Sequence, residues 1–212
     1  MNTSNSPYSA AITGGGFLYY EYRRILPLMM STDSQQLLKE EIENNQILQV
    51  NSKAARKRFI AEFKRRFASV PVYFWQTWQD WSEEGQRAGL FFAILKTYKL
   101  LFDFHFNVTV KRWNSIELQI SKSDIMMEFN EIAAHDSFVD SWSENTKDRC
   151  ASQYLTILRQ VGLMKENTND LQSIRPDSSE LEYYFRAGED WFLDACLLYP
   201  YEINDIKSNC HE

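Results

Sequence analysis

The chain has 212 residues, 44% of them hydrophobic, 25% charged and 15% aromatic, enough for a sizeable core and too apolar for a disordered chain. Glycine and proline number only 7 and 5, which argues against a turn-rich sandwich or barrel and for helices. The net charge of −6 counts against a nucleic-acid partner, which needs a positive footprint, but it averages two unlike halves: residues 1–112 carry net +5 and residues 113–212 net −11.

The opening is small and polar and ends in Gly14-Gly15-Gly16 before Phe17-Leu18-Tyr19-Tyr20. Three glycines at a helix start read either as a close-packing turn or as an anion cradle; the spacing fits neither G-x-G-x-x-G nor a P-loop, which favours the turn. From Ser31 the pattern is helical, with Leu37, Leu38 and Ile42 on one face up to Asn44-Asn45. Ser52 then caps a helix predicted from Lys53 to Ala68, with Ala55, Phe59, Phe63 and Phe67 as its buried stripe.

That helix holds seven basic residues, Lys53, Arg56, Lys57, Arg58, Lys64, Arg65 and Arg66, against one acid, Glu62. A helix face built for solubility usually interleaves Glu with Lys at i,i+4. Arginine is also as common as lysine here, and its planar fork suits phosphate. Two readings therefore stand side by side, a phosphate-binding face and a solvated face neutralised by the acidic half.

After Pro71, the aromatics Tyr73, Phe74, Trp75, Trp78 and Trp81 read as core more readily than as a base-stacking platform. Leu90 to Phe106 is apolar on nearly every face, as a central helix should be. Val108/Val110 and Ile116/Leu118/Ile120 alternate as a strand would. Asp124 to Ala134 is an amphipathic helix. Ala151, Tyr154, Leu155, Leu158 and Val161 form the stripe of another, stopped by Gly162, whose opposite face carries Arg149, Ser152, Gln153, Thr156 and Gln160. Those five side chains can hydrogen-bond phosphates and base edges. Leu163-Met164-Lys165 and Leu171-Gln172-Ser173-Ile174 then bracket a polar turn as a small hairpin. Helix, turn, helix and hairpin is the order of a winged helix-turn-helix, although the His135–Trp142 connection is long and Glu144 and Asp148 stand at the second helix's start.

No enzyme is expected. His105, His135 and His211 lack ligand spacing, with His105 read as a packed residue; no H-E-x-x-H, G-x-S-x-G or Walker motif occurs. Cys150 is read as structural, and Glu40-Glu41-Glu43 and Glu189-Asp190-Asp194 as solvated faces rather than metal sites. Three scattered cysteines, no leader-like opening, and a longest apolar run of only Ala88 to Leu95 point to a cytoplasmic protein without membrane insertion or cofactor.

Taken together, Tyr8-Ser9-Ala10-Ala11-Ile12-Thr13-Gly14-Gly15-Gly16-Phe17 with Glu21, Asn44-Asn45-Gln46-Ile47-Leu48-Gln49, and Trp142-Ser143-Glu144-Asn145-Thr146 running to Gly162-Leu163-Met164 resemble the BrxA family of BREX bacteriophage-defence systems, over roughly residues 8–180. The resemblance implies an all-α, mainly helical NusB-like bundle and double-stranded DNA binding. It also implies work beside other BREX proteins, a methyltransferase, a phosphatase-like protein and ATPases. The family supplies no catalytic residues.

The expected organisation is a basic helical region (1–112) and an acidic helical region with the winged-helix-like segment (113–212) in one compact unit. The expected function is a non-enzymatic DNA-binding accessory protein of phage defence. Lys53, Arg56, Lys57, Arg58, Lys64, Arg65 and Arg66 would hold phosphates with little sequence specificity, and Arg149, Ser152 and Gln153 would approach a groove. The alternative is a scaffold that docks other defence proteins through the basic helix.

Overall fold

A computed structural model describes residues 6–210; His211 lies outside them. The fold is all-α, as the scarcity of glycine and proline predicts. A 3₁₀ turn (Ala11–Gly14) precedes α1 (Tyr19–Met30), α2 (Ser34–Asn44), α3 (Lys53–Ala68), α4 (Val72–Trp78) and α5 (Glu83–Thr97). After Tyr98 the chain runs as one helical stretch through α6 (Lys99–Phe104), a π-helical segment (His105–Val110) and α7 (Lys111–Trp113). Then come α8 (Lys122–His135), α9 (Ser137–Asp140), α10 (Glu144–Val161), α11 (Ser178–Arg186), α12 (Trp191–Ala195) and α13 (Pro200–Asn209).

The central helix is α5. Gly85, Gln86 and every residue from Ala88 to Leu95 are buried, and α3, α4, α6 and α10 pack around it. Apolar side chains all round leave a helix no stable place except the middle of the molecule. Gly89 permits the close approach of α4, since a Cβ there would stand 2.5 Å from the Trp78 ring. The aromatic run is core as read: Phe74, Trp75 and Trp78 are buried, and only Tyr73 is largely exposed.

The strand expected over residues 106–120 is mostly absent. Val108 and Val110 lie in the π-helical segment and Ile116 is fully exposed. Alternation over so short a stretch also fits a helix with one buried side, and the apolar partners supplied by α8 and α12 decide for the helix. What remains is Leu118 to Ile120, which meets the hairpin: Leu171 N–H donates to Leu118 O (2.7 Å) and Ile120 N–H to Asn169 O (3.0 Å). Antiparallel bridges join Gln119 to Asp170 and Met164 to Leu171. The long connection between α8 and α10 is taken up by α9, which Asp136 caps through the amides of Phe138 and Val139, both at 3.0 Å.

Candidate nucleic-acid interface

Helix α3 starts where the cap predicts, with Ser52 Oγ accepting from Ala55 N–H at 3.3 Å. Its buried side is rotated from the expected stripe. Ile60 and Phe63 are buried, Ala55, Phe59 and Phe67 only half so, and Arg56, Glu62 and Arg66 are buried beside them. Three charged residues face inward because the loops around α3 offer partners. Arg56 donates from Nε to Ile42 O (2.8 Å) and from Nη1 to Val50 O (2.7 Å) and Asn51 O (3.1 Å). Arg66, fully buried, donates to Phe17 O at 2.7 Å and to Gly16 O. Glu62 takes Arg65 and the Tyr98 hydroxyl, whose pKa burial pushes up to about 12, so the phenol stays the donor. Arg56 and Arg66 are therefore struts, and the expectation that they hold phosphates is corrected: both guanidinium groups are spent on backbone carbonyls.

The outward side of α3 carries Lys53, Lys57, Arg58, Lys64 and Arg65, all exposed, with Ala54, Ala61 and Ala68 between them. Lys53 pairs with Glu43 at 2.5 Å and Arg65 with Glu62. Arg58 lies over the Phe59 ring at 5.7 Å. Among the described residues, Lys57, Arg58 and Lys64 have no ion pair. The helix packs on α1, α2, α4, α5 and the 3₁₀ turn, so its cationic face stands open and is not covered by the acidic half.

The triglycine turn is a packing device. Gly15 and Gly16 both spend their amides on Ile12 O, at 3.2 and 3.1 Å, which leaves no cradle for an anion. A Cβ on Gly14 would be 2.9 Å from Arg58 Cδ, one on Gly15 2.8 Å from Glu62 Cγ, and one on Gly16 3.1 Å from Gln153 Nε2. The turn thus lies between α3 and α10. Gln153 is half-buried against it, a correction to the expectation that this side chain reaches a groove. Arg149 is exposed without an ion pair among the described residues, and Ser152 is half-buried.

The two acids at the start of α10 are each countered, Asp148 by Lys122 and Glu144 by Lys147 at 3.3 Å. His105 is fully buried, between Tyr154 Oη and Ala195 O at 2.9 Å each, and Tyr154 Oη also meets Thr109 Oγ1 at 2.5 Å. Cys150 is buried, and burial pushes its thiol up to about 12, leaving it unreactive at neutral pH. Among the described residues no group of three His, Cys, Asp or Glu is placed to hold a metal, and no helix is long and apolar enough to cross a membrane.

Sequence reasoning missed Glu41, read as part of a solvated acidic face. It is buried, and its carboxylate accepts from the amides of Gln46, Ile47 and Leu48 at 2.8–3.1 Å. The signal available was its position four residues before Asn45, which ends α2 in the left-handed conformation at φ +54°.

A family model for BrxA matches residues 6–185. A BREX protein BrxA of Paramagnetospirillum magneticum is 24% identical over 191 residues, covering 90% of this chain and 96% of that protein. A BREX protein BrxA of Bacillus cereus is 21% identical over 189 residues, covering 88% and 94%. The crystal structure of an uncharacterized protein from Magnetospirillum magneticum superposes with a TM-score of 0.75 at 23% identity, over 91% of this chain and 98% of that one.

Proposed function

The chain belongs to the BrxA family of BREX defence proteins, and proceeding from that membership we propose that it is a non-enzymatic, cytoplasmic accessory protein that binds double-stranded DNA through phosphate contacts, beside the other BREX components. The observation that carries the reading is the open face of α3: five exposed cations on one side of a helix, three of them without an ion pair among the described residues. Lys57, Arg58 and Lys64 are its centre. Lys53 and Arg65 join by exchanging Glu43 and Glu62 for phosphate. The small Ala54, Ala61 and Ala68 between them let a backbone approach closely.

If about five phosphates are neutralised, log K falls with log salt at a slope of about −4.5, and affinity at physiological salt lies in the micromolar range of non-specific binding. Titrating a random duplex at several salt concentrations measures the slope, and no affinity at low salt would sink the proposal. Lys57→Glu with Arg58→Glu separates it from the scaffold alternative. Loss of duplex binding with defence-protein complexes intact supports DNA as the ligand; the reverse outcome supports an acidic protein partner.

A further inference from the structure

We infer that the free edge of the Leu118–Ile120 strand is a docking site for an extended segment of another protein, which adds to it as a further strand and carries a lysine or arginine into the acidic cleft alongside. The site shares no residue with the α3 face and stands whether or not the chain binds DNA. Leu118 to Ile120 is hydrogen-bonded on one side only, where the hairpin takes Leu118 O and Ile120 N–H. In an antiparallel bridge of that pattern, as between Gln119 and Asp170, the bridged residue turns its own N–H and C=O to the opposite side. Gln119 is exposed, and its main-chain N–H and C=O have no partner among the described residues. Glu117, two residues back on the same edge, has only Ser115 Oγ at its N–H and C=O, at 3.2 and 3.3 Å.

Proteins guard such edges with lysine or proline, because an open edge templates another strand. Ser115 to Ser121 contains neither, and its one charge, Glu117, is tied back to Arg112. Alternation puts Ile116, Leu118 and Ile120 on one face. Ile120 is buried, Leu118 is exposed and Ile116 is fully exposed, so the apolar row runs on past the chain's own core. In strand addition the main chain gives affinity and alternate side chains give specificity; here the alternate positions ask for apolar groups. The partner's charge follows from the cleft. A hollow of about 260 Å³ beside Glu117, Gln119 and Ser121 meets, at the Arg112–Asp124 ion pair, a cleft of about 370 Å³ lined by Asn107, Lys111, Met127, Glu128 and Glu131. Glu128 has only the Asn107 amide, at 2.7 Å, and neither Glu128 nor Glu131 has an ion pair among the described residues. Four carboxylates against Lys111 and Arg112 leave the walls at net −2, which a cationic side chain complements. A second copy of this chain would bring Glu117 to the edge, with no cation between Ser115 and Ser121.

The test is selection of a displayed library of random dodecapeptides on the full chain, followed by fluorescence anisotropy with the enriched peptide made synthetically. We expect a motif of alternating apolar residues flanked by lysine or arginine. Ile116→Lys should weaken that peptide roughly tenfold or more, and Gln119→Pro roughly 2- to 10-fold. Both variants should keep the fold, since Ile116 is fully exposed and proline is tolerated where an edge N–H faces solvent; unchanged thermal unfolding checks this. Glu128→Lys with Glu131→Lys should turn the flanking preference from basic to acidic, while Lys57→Glu with Arg58→Glu should leave peptide affinity unchanged. A library without an enriched motif overturns the inference, and so does an enriched peptide whose affinity survives both Ile116→Lys and Gln119→Pro. A sedimenting mass that doubles with concentration, and returns to one chain in Ile116→Lys, also overturns it, because the edge then belongs to a second copy.

Discussion

Arg65 and Arg66 are neighbours on α3 and do different work, and nothing in their own identity says so. Arg65 is exposed; Arg66 is fully buried and donates to the carbonyls of Gly16 and Phe17. Removing Arg66 leaves those carbonyls without charge-assisted donors, and hydrogen bonds from a charged group are worth about 1.5–3 kcal/mol each. Arg66→Ala is expected to cost about 2–4 kcal/mol, whereas Arg58→Ala costs much less, about 0.5 kcal/mol, because its exposed side chain has no ion pair and only lays its stem on Gly14 and Phe59. Urea unfolding of the two variants checks the contrast, and equal costs would refute the assignment of Arg66 as a strut. The basic helix was legible as a helix, with its cap and ends, and helical spacing alone turns Lys53, Lys57, Arg58, Lys64 and Arg65 outward; that Arg56 and Arg66 are spent as struts was not legible. That depends on carbonyls at residues 16, 17, 42, 50 and 51, brought up by loops whose paths local spacing does not encode.

Among the elements, α5 shows how packing can reverse a propensity. Alanine in a helix interior is better than glycine by about 1 kcal/mol, so Gly89→Ala would ordinarily stabilise. Here the added methyl meets the buried Trp78 ring at 2.5 Å, and that indole is held by its Nε1–H to Gln86 O at 2.8 Å. Overpacking costs about 1–3 kcal/mol, and a ring that cannot move puts the cost near the upper end. The expected result is a net loss of about 1–2 kcal/mol, read from the midpoint of denaturant unfolding; an unchanged or raised midpoint would show that α4 can give way. The start of α3 and the end of α10 were readable because Ser52 and Gly162 are local signals. The π-helical segment was not readable. In it His105 and Thr109 both meet Tyr154, forty-five or more residues away, a pairing that local spacing does not encode.

At the scale of the whole molecule, that buried network ties the π-helical segment to α10 and to Ala195 at the end of α12. With Nε2–H donated to the Ala195 carbonyl, Nδ1 accepts from the Tyr154 hydroxyl, which requires a neutral imidazole. Burial pushes the His105 pKa down to about 4, below the ordinary value near 6.5. The unfolded chain therefore binds the proton more readily than the folded one, and stability falls as pH drops from about 6.5 towards 4, by about 3 kcal/mol in all. Thermal unfolding across that range should show the loss, and His105→Gln should flatten the His-linked part of it. An identical pH slope in the variant would assign the loss to other groups. The charge split that opened the sequence reading also takes its meaning here. The positive excess stands open on α3, while carboxylates of the acidic half, such as Asp148 and Glu202, are countered by Lys122 and Arg175.

The triglycine turn has a consequence for synthesis on the ribosome. It is synthesised before both helices it separates, and one of them, α10, begins about 130 residues later, a wait of roughly 7–26 s at 5–20 residues per second. Helix α3 is complete by residue 68, so Arg58, Glu62 and Arg66 can receive the glycines long before Gln153 exists. The nascent chain would hold the turn against α3 and keep that seam open until α10 arrives to close it.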